Sequence, residues 1–277
     1  MVMSINAIAA MVSFVTTMKN LIEAFIEDYV KEYKSQRRIL TDWGIPLVAF
    51  ADARNPLFNR LKMVVGLDHF LPSDLLNNAR TVISYFVPFD KEIASSNNTT
   101  EGHASERWAI AYLETNQMIL DLNESISSMF QQHGYRSTAT VPTYDFDKNR
   151  LMSSWSHKHI TFISGLGKFG IHNMIITEKG CCGRLGSIVT NVEIEPSRMR
   201  IGESCLYKIN RSCGLCVSKC TWGALRIDGF DKHRCYEQCI ANASVYSRMG
   251  LADVCGKCTI AVPCSFSDPS ATGRTKE

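Results

Sequence analysis

The sequence predicts two structural units, a layered α/β domain and a small cysteine-rich module that follows it. Patterns typical of helices alternate with short apolar runs typical of strands over residues 18–195, as in layered α/β domains. All 11 cysteines of the 277-residue chain lie at position 181 or beyond. We therefore expect an extra N-terminal segment over 1–17, the α/β domain over 18–195 and the cysteine-rich module over 196–277.

The first 17 residues predict an amphipathic helix rather than a signal peptide. The apolar run from Ala7 to Val15 is short, no basic residue precedes it and no small-residue cleavage pattern follows it. Met18 is an alternative start of the chain. No stretch reaches the roughly 18 apolar residues that a membrane span requires. We expect a cytoplasmic protein that does not bind membranes.

Helical and strand patterns then follow in order along the α/β domain. Leu21, Phe25, Tyr29 and Tyr33 recur at intervals of four, which predicts a helix with one apolar face. The runs "IPLVAF" (45–50) and "TVISYFVPF" (81–89) predict two strands, the second of them fully buried.

A long second helix is predicted after Ser105, which is a suitable N-terminal cap. Its apolar stripe runs from Trp108 to Met129, and His133-Gly134 is a typical helix end. Further strands are predicted over 135–141 and 186–194. In front of the glycines discussed below, "HITFIS" is interpreted as a strand.

The cysteine spacing indicates metal ligation. Thiols are kept reduced in the cytosol, so we do not expect a disulfide framework confined to the last third of a cytosolic chain. The first run is C-x7-C-x2-C-x3-C, from Cys205 to Cys220, and the second is C-x2-C-x5-C, from Cys255 to Cys264. Ferredoxins with two clusters use C-x2-C-x2-C-x3-C-P, in which the fourth cysteine ligates the other cluster. Here the first cysteine is displaced upstream, and Thr221 replaces the proline.

Crossed ligation of this kind predicts two [4Fe–4S] clusters. The expected ligands of one are Cys205, Cys213, Cys216 and Cys264. Those of the other are Cys220, Cys235, Cys255 and Cys258. Cys239 competes with Cys235 for one place, and the vicinal Cys181 and Cys182 are interpreted as small buried residues. Zinc is the alternative metal, since paired C-x2-C units also form zinc ribbons.

The distribution of charge fits clusters better than a nucleic-acid patch. The net charge is only +3. Residues 161–277 carry 15 Lys and Arg against 10 Asp and Glu, a net charge of +5. Each cluster with its four thiolates contributes about −2, which a basic polypeptide offsets. No Walker A or G-x-S-x-G motif supports an NTPase or a serine hydrolase.

Gly165, Gly167 and Gly170 have the G-x-G-x-x-G spacing of dinucleotide-binding loops. The segment that follows, "IHNMIITEKG", is too short and too β-branched for the helix which that motif requires. We interpret the glycines instead as positions where the backbone passes close to a bulky cofactor.

Four segments together resemble the epoxyqueuosine reductases and, more loosely, the corrinoid-dependent reductive dehalogenases. They are "DLLNNARTVISYFVPF", "ISGLGKFGIHNMIIT", "GRLGSIVTNVEI" and the eight-cysteine module, over about residues 70–265. The resemblance implies an α/β (α+β) layered, nitroreductase-like domain followed by a ferredoxin-like double-cluster domain. It also implies a corrinoid (cobalamin) between them and a low-potential electron donor such as ferredoxin or flavodoxin.

The resemblance also implies site residues. Gly165, Gly167, Gly170, His172, Asn173 and Arg184 are expected to bind the cofactor. The family carries a Val-Asp-x-x-Pro motif whose aspartate is the expected proton donor, but Ala139 stands at that position here. Tyr144 and Asp145 are the replacement candidates. The C-terminal helical repeats that help those reductases to grip tRNA are absent, so we expect tRNA not to be a partner.

Two functions follow as hypotheses. The first is an oxidoreductase that passes electrons through two clusters to a corrinoid, or to a flavin, and reduces a small organic molecule. The second is an electron-transfer or reductive-activation protein that docks a partner protein without turnover of its own. A homodimer is compatible with either.

Overall fold

A computed structural model describes residues 5–35, 37–140 and 146–271, with side chains from Met18 onward. Nine α-helices lie in these ranges: α1 (Ile5–Tyr33), α2 (Leu57–Val64), α3 (Pro72–Leu75), α4 (Lys91–Thr99), α5 (Glu106–Gln132), α6 (His157–Ile163), α7 (Leu206–Asn210), α8 (Leu215–Ser218) and α9 (Lys232–Val245). A 3₁₀-helix covers Lys257–Thr259.

The eight strands form one central sheet and two small hairpins. They are β1 (Leu47–Asp52), β2 (Thr81–Pro88), β3 (Ser137–Ala139), β4 (Phe146–Asp147), β5 (Met152–Ser153), β6 (Gly167–Phe169), β7 (Ile175–Thr177) and β8 (Gly183–Thr190). The central sheet has the order β1-β2-β8-β3, and all its neighbours are antiparallel. Strands β4 and β5 pair with each other, as do β6 and β7.

Strand β2 is the centre of the α/β domain, and every one of its eight residues is buried. Because side chains alternate across a strand, successive residues serve two different cores. Ile83, Tyr85 and Val87 pack with α1 and α5 on one face. Val82 faces Ile160 of α6 and the residues of α2 on the other. The mixed layered fold predicted from the sequence is confirmed.

Helix α5 follows its predicted bounds closely. The Ser105 hydroxyl accepts a hydrogen bond from the Trp108 backbone N–H at 3.2 Å. The helix ends at Gln132, before Gly134, which has a φ of +79°. Helix α1 is continuous from Ile5, so residues 5–17 of the extra N-terminal segment belong to the same helix as the residues after Met18.

Three strand predictions require correction. The "HITFIS" segment is helix α6, because Ile160 and Ile163, three residues apart, both enter the core beneath β2. The strand expected over 186–194 is β8, which begins three residues earlier and ends at Thr190. Of the strand expected over 135–141, only 137–139 is regular, and residue 141 lies outside the described residues.

The cysteine-rich segment from about residue 200 consists of short helices and turns packed on α4 and α5. Phe89, Trp108 and Cys182 form a buried cluster with Ile260 and Val254 of this segment. Within the described part of the chain, no helix is long and apolar enough to cross a membrane.

Candidate functional site

The structure gathers nine cysteines in two groups around two neighbouring spaces. The first is a cleft of about 20 Å³. Its walls include His172 and the cysteines that we call the first cysteine group: Cys205, Cys213, Cys216 and Cys264. Cys205 precedes α7 directly, and Cys216 lies in α8. Cys264 arrives from the second run, after the 3₁₀-helix.

The second space is a cavity of about 270 Å³ between the α/β domain and the cysteine-rich segment. It is lined by the second cysteine group: Cys220, Cys235, Cys239, Cys255 and Cys258. Cys220 comes from the first run, whereas Cys255 and Cys258 belong to the second. The two runs therefore exchange one cysteine each, in the arrangement that the spacing suggested, and the role of these residues as ligands stays a prediction.

The α/β domain supplies the opposite wall of this cavity. Phe89, Trp108 and Tyr112 give it an aromatic side, while Lys158 of α6 and Arg184 of β8 add two cations. The predicted residues His172 and Asn173 line it as well. Such a space, largely apolar with a few convergent polar groups, is typical of small-molecule sites.

Arg184 is fixed in the wall by two neighbours. Its Nη2 donates to Asn116 Oδ1 at 2.8 Å, and its guanidinium lies 4.5 Å above the centre of the Tyr112 ring. The Tyr112 hydroxyl in turn donates to Asp253 Oδ1 at 2.6 Å. Burial raises the pKa of Tyr112 to about 12, and burial also raises the pKa of Asp253. Both groups are therefore protonated over a wider pH range than in water.

Lys158 is the cation that faces the second cysteine group. Burial lowers the pKa of its ammonium, while the charges of Cys235 and Cys258 act in the opposite direction. On α9, a hydrogen bond from Cys239 lowers the pKa of Cys235, and Lys158 adds to this effect. The pKa of Cys239 is raised by the same hydrogen bond. Cys235 is thus the member of this pair that favours the thiolate form in which cysteine binds metal.

His172 and two cysteines form a compact cluster beside the first group. The ligand atoms of His172, Cys181 and Cys264 lie within 4.8 Å of one another. His172 Nε2 is 3.4 Å from Cys264 Sγ. The backbone N–H of Cys181 donates to the Cys264 carbonyl at 3.0 Å, and Cys182 Sγ donates to the Thr259 carbonyl at 3.0 Å. Sequence reasoning missed this cluster, because Cys264 lies 83 positions from Cys181 and 92 positions from His172 along the chain.

The three glycines of the G-x-G-x-x-G motif pack against protein. A Cβ on Gly165 would lie 2.6 Å from the Arg198 carbonyl oxygen, and one on Gly167 would lie 2.4 Å from that of Ile176. A Cβ on Gly170 would lie 2.6 Å from Cε1 of the His172 ring. Close packing therefore accounts for all three glycines without a cofactor.

The expected proton donors Tyr144 and Asp145 lie outside the described residues. Ala139, which stands where the family motif has aspartate, is exposed at the end of β3. The nearby histidines of α6 point to different partners. His157 Nδ1 is 2.9 Å from Ser187 Oγ, whereas His159 Nδ1 is 2.8 Å from Ser156 Oγ.

Comparison with known proteins identifies the fold. No family model matches the sequence, and no curated protein does. An epoxyqueuosine reductase from Streptococcus thermophilus matches with a TM-score of 0.51 and 16% identity, over 87% of this chain and 66% of that one. A catabolic reductive dehalogenase matches with a TM-score of 0.54 and 12% identity, over 82% and 31%. The resemblance inferred from the motifs is confirmed at the level of the fold.

The prediction that tRNA is not a partner was wrong. A third match is an epoxyqueuosine reductase with an epoxyqueuosine-modified tRNA stem loop, at a TM-score of 0.49 and 20% identity, over 78% of this chain and 57% of that one. This chain thus spans 57% and 66% of the two epoxyqueuosine reductase chains. The lack of further helices is therefore no ground for excluding tRNA.

Proposed function

We propose that this chain is an iron–sulfur oxidoreductase that holds two [4Fe–4S] clusters and passes electrons to a small organic group bound in the 270 Å³ cavity. The observation that carries the proposal is the exchange of Cys220 and Cys264 between the two cysteine groups. Crossed fourth ligands are the mark of two-cluster ferredoxins, in which the clusters lie close to each other.

The donor set fits this cofactor. Each group offers at least four thiols, and all 11 cysteines are free. Thiolates are the ligands of iron–sulfur clusters, and groups of four buried or partly buried cysteines are suited to them. Lys158, on the cavity wall, supplies positive charge opposite the negative charge of thiolates. Bound clusters would supply one-electron transfer.

The residues do not fit an enclosed corrinoid. The cavity of about 270 Å³ already borders the five cysteines of the second group. A corrinoid is larger than a drug-sized ligand, and pockets for ligands of that size span roughly 300–1,000 Å³. The glycines expected to make room for it contact protein instead. Our proposal therefore routes no step through a corrinoid.

The cavity wall can bind and orient a small acceptor. Phe89, Trp108 and Tyr112 exclude water and offer flat apolar surfaces for a planar group. The Arg184 guanidinium, held by Asn116, does not have to be reoriented when a polar group binds. Reduction of such an acceptor also takes up protons, and Lys158 Nζ and the Tyr112 hydroxyl are two groups of the α/β wall that carry them.

Metal analysis tests the cofactor. The chain is purified and reconstituted without oxygen, and iron, sulfide, zinc and cobalt are measured beside EPR spectra of the dithionite-reduced protein. We expect about eight irons and eight sulfides per chain. One or two zincs without sulfide would overturn the proposal.

A second experiment tests turnover. The dithionite-reduced protein is mixed with an epoxyqueuosine-modified tRNA stem loop, because epoxyqueuosine reductases share this fold. Mass spectrometry then measures loss of the epoxide oxygen. Oxygen loss supports the enzyme and identifies its substrate. Reduced clusters that persist with this acceptor and with a panel of small organic oxidants favour the electron-transfer alternative.

A further inference from the structure

We infer that His172 is a positioning residue of the first cluster: its Nε2–H donates a hydrogen bond to Cys264 Sγ and so raises the reduction potential of the cluster held by the first cysteine group. This inference rests on the proposed function, since it requires a cluster at Cys205, Cys213, Cys216 and Cys264. The sequence predicts that this histidine binds the cofactor in the cavity, whereas the inference assigns it to the first cluster.

The backbone determines which nitrogen of His172 carries the hydrogen. The Met174 backbone N–H donates to His172 Nδ1 at 3.1 Å. Nδ1 therefore acts as an acceptor and carries no hydrogen, and in the neutral ring the hydrogen resides on Nε2. Nε2 is 3.4 Å from Cys264 Sγ, a distance suited to an N–H···S hydrogen bond. The ring is 4% exposed, so water does not compete effectively for this donor.

A tight turn presents the ring to the sulfur. Gly170 N–H donates to the Met174 carbonyl at 2.9 Å, and Asn173 N–H donates to the Gly170 carbonyl at 3.1 Å. Asn173 adopts a φ of +58°, which asparagine tolerates better than most residues. Gly170 leaves room for the ring, because a Cβ there would lie 2.6 Å from His172 Cε1. The last glycine of the motif, Gly170, thus allows the His172 ring to pack in this position.

The hydrogen bond has a direct electrostatic consequence. A donor pointed at a ligating sulfur draws negative charge away from the cluster. The reduced cluster carries one more negative charge than the oxidised cluster, so the donor stabilises it more and raises the potential. Outer-sphere donors commonly tune metal sites in this way.

Redox titration of two variants tests the inference. His172→Phe keeps a ring and removes the donor, and His172→Gln keeps an N–H at a similar distance from the backbone. EPR-monitored titrations are run anaerobically on the reconstituted proteins. We expect one of the two cluster potentials to fall in His172→Phe while the other stays constant. His172→Gln should restore much of the lost potential.

Each other outcome has a defined meaning. Unchanged potentials in His172→Phe, with the full iron content, overturn the inference. Loss of about half the iron in His172→Phe, without restoration in His172→Gln, indicates a ligand or a purely structural residue and also overturns it. A wild-type protein without iron and sulfide contradicts the proposed function itself, so the two failures are distinguishable.

A measurement on the unmutated protein removes any dependence on folding of the variants. The chain is labelled with ¹⁵N-histidine, reconstituted and reduced, and the nitrogen couplings are measured by pulsed EPR. A weak coupling is expected from an N–H···S hydrogen bond. A strong coupling means that histidine ligates iron directly, and no coupling means that the ring does not contact the cluster. Either of these two results overturns the inference.

Discussion

Tyr112 of α5 and Asp253 of the cysteine-rich segment are joined by a 2.6 Å hydrogen bond across the cavity wall, although 141 positions separate them in the chain. Two further hydrogen bonds also join the α/β domain to the cysteine-rich segment. Asn97 Nδ2 donates to the Cys255 carbonyl at 2.9 Å, and Lys257 Nζ donates to the Asn97 carbonyl at 2.6 Å. Buried polar contacts therefore hold the second cysteine group against the α/β domain.

The first prediction concerns this link. Tyr112→Phe leaves the ring beneath Arg184 but removes the donor to Asp253, a half-buried carboxyl group. An unsatisfied buried polar group costs roughly 1–3 kcal/mol. We expect the unfolding midpoint of the reconstituted protein to fall by several degrees, as measured by circular dichroism. Tyr207→Phe, at a tyrosine whose ring lies under Arg211 in the same way, is the matched control. Equal midpoints for both variants would contradict the prediction.

The Tyr112 hydroxyl also predicts a loss of stability at high pH. Its pKa is raised to about 12 by burial, from an ordinary value of 10.0. The unfolded chain therefore loses this proton before the folded chain does. The resulting stabilisation is complete below pH 10 and disappears as the pH rises toward 12. The unfolding midpoint should fall more steeply between pH 9 and 11 in the wild type than in Tyr112→Phe. Equally steep falls in the two proteins would contradict this prediction.

Gly256 provides a third prediction, because it lies between the proposed ligands Cys255 and Cys258. It has a φ of +74°, and a Cβ there would lie 2.3 Å from the Trp108 indole. Gly256→Ala thus adds overpacking of roughly 1–3 kcal/mol to the cost of a left-handed alanine. Gly223→Ala is the matched control, with a φ of +62° and no atom within 4 Å of its Cβ. We expect iron loss and a lower unfolding midpoint mainly in Gly256→Ala.

The cysteine groups predict which substitutions remove iron. Cys264→Ser and Cys220→Ser should each lower the iron content from about eight to about four per chain, since each removes one ligand of one cluster. Cys182→Ser is the control, because this thiol donates to the Thr259 carbonyl and belongs to neither group. We expect the Cys235→Ser variant to lose iron and the Cys239→Ser variant to retain it. The reverse order would show that Cys239 is the ligand.

Much of the fold could be predicted because its signals are local. Strand β2 is a continuous apolar run, and α5 has both a serine cap and a glycine after its end. The sequence predicts a strand for "HITFIS" because the segment is rich in β-branched residues, which prefer strands. In the structure it belongs to helix α6, because the packing of Ile160 and Ile163 in the core overrides this preference. Short-range propensity cannot reveal such a tertiary effect.

Some features of the candidate site can likewise be predicted from local sequence signals, and others depend on tertiary contacts. Cysteine spacing is a local signal, and it predicts two groups of cysteines, whose role as cluster ligands stays a prediction. The contacts of Tyr112 with Asp253 and of His172 with Cys264 join residues 141 and 92 positions apart, and no spacing rule encodes them. The glycine motif was visible, but its function depends on the neighbours that fill each missing Cβ, and these are known only from the fold.

The last prediction concerns acid. Burial lowers the pKa of His157 to about 4, from an ordinary value of 6.5, with Arg184 as a second cause. The folded chain keeps this ring neutral while the unfolded chain binds a proton. Its contribution to stability is complete above pH 6.5 and declines as the pH falls toward 4, with a total of roughly 3 kcal/mol.

His157→Asn separates this titration from other effects of acid. An asparagine Oδ1 can accept from Ser187 Oγ in place of the His157 Nδ1, which is 2.9 Å from that oxygen. The unfolding midpoint of the variant should therefore fall less between pH 7 and pH 5.5 than that of the wild type. His133→Asn, at an exposed histidine after α5, is expected to follow the wild-type curve. If His157→Asn follows that curve as well, the acid sensitivity arises elsewhere, and His69 and His159, whose pKa values burial also lowers, become the next residues to replace.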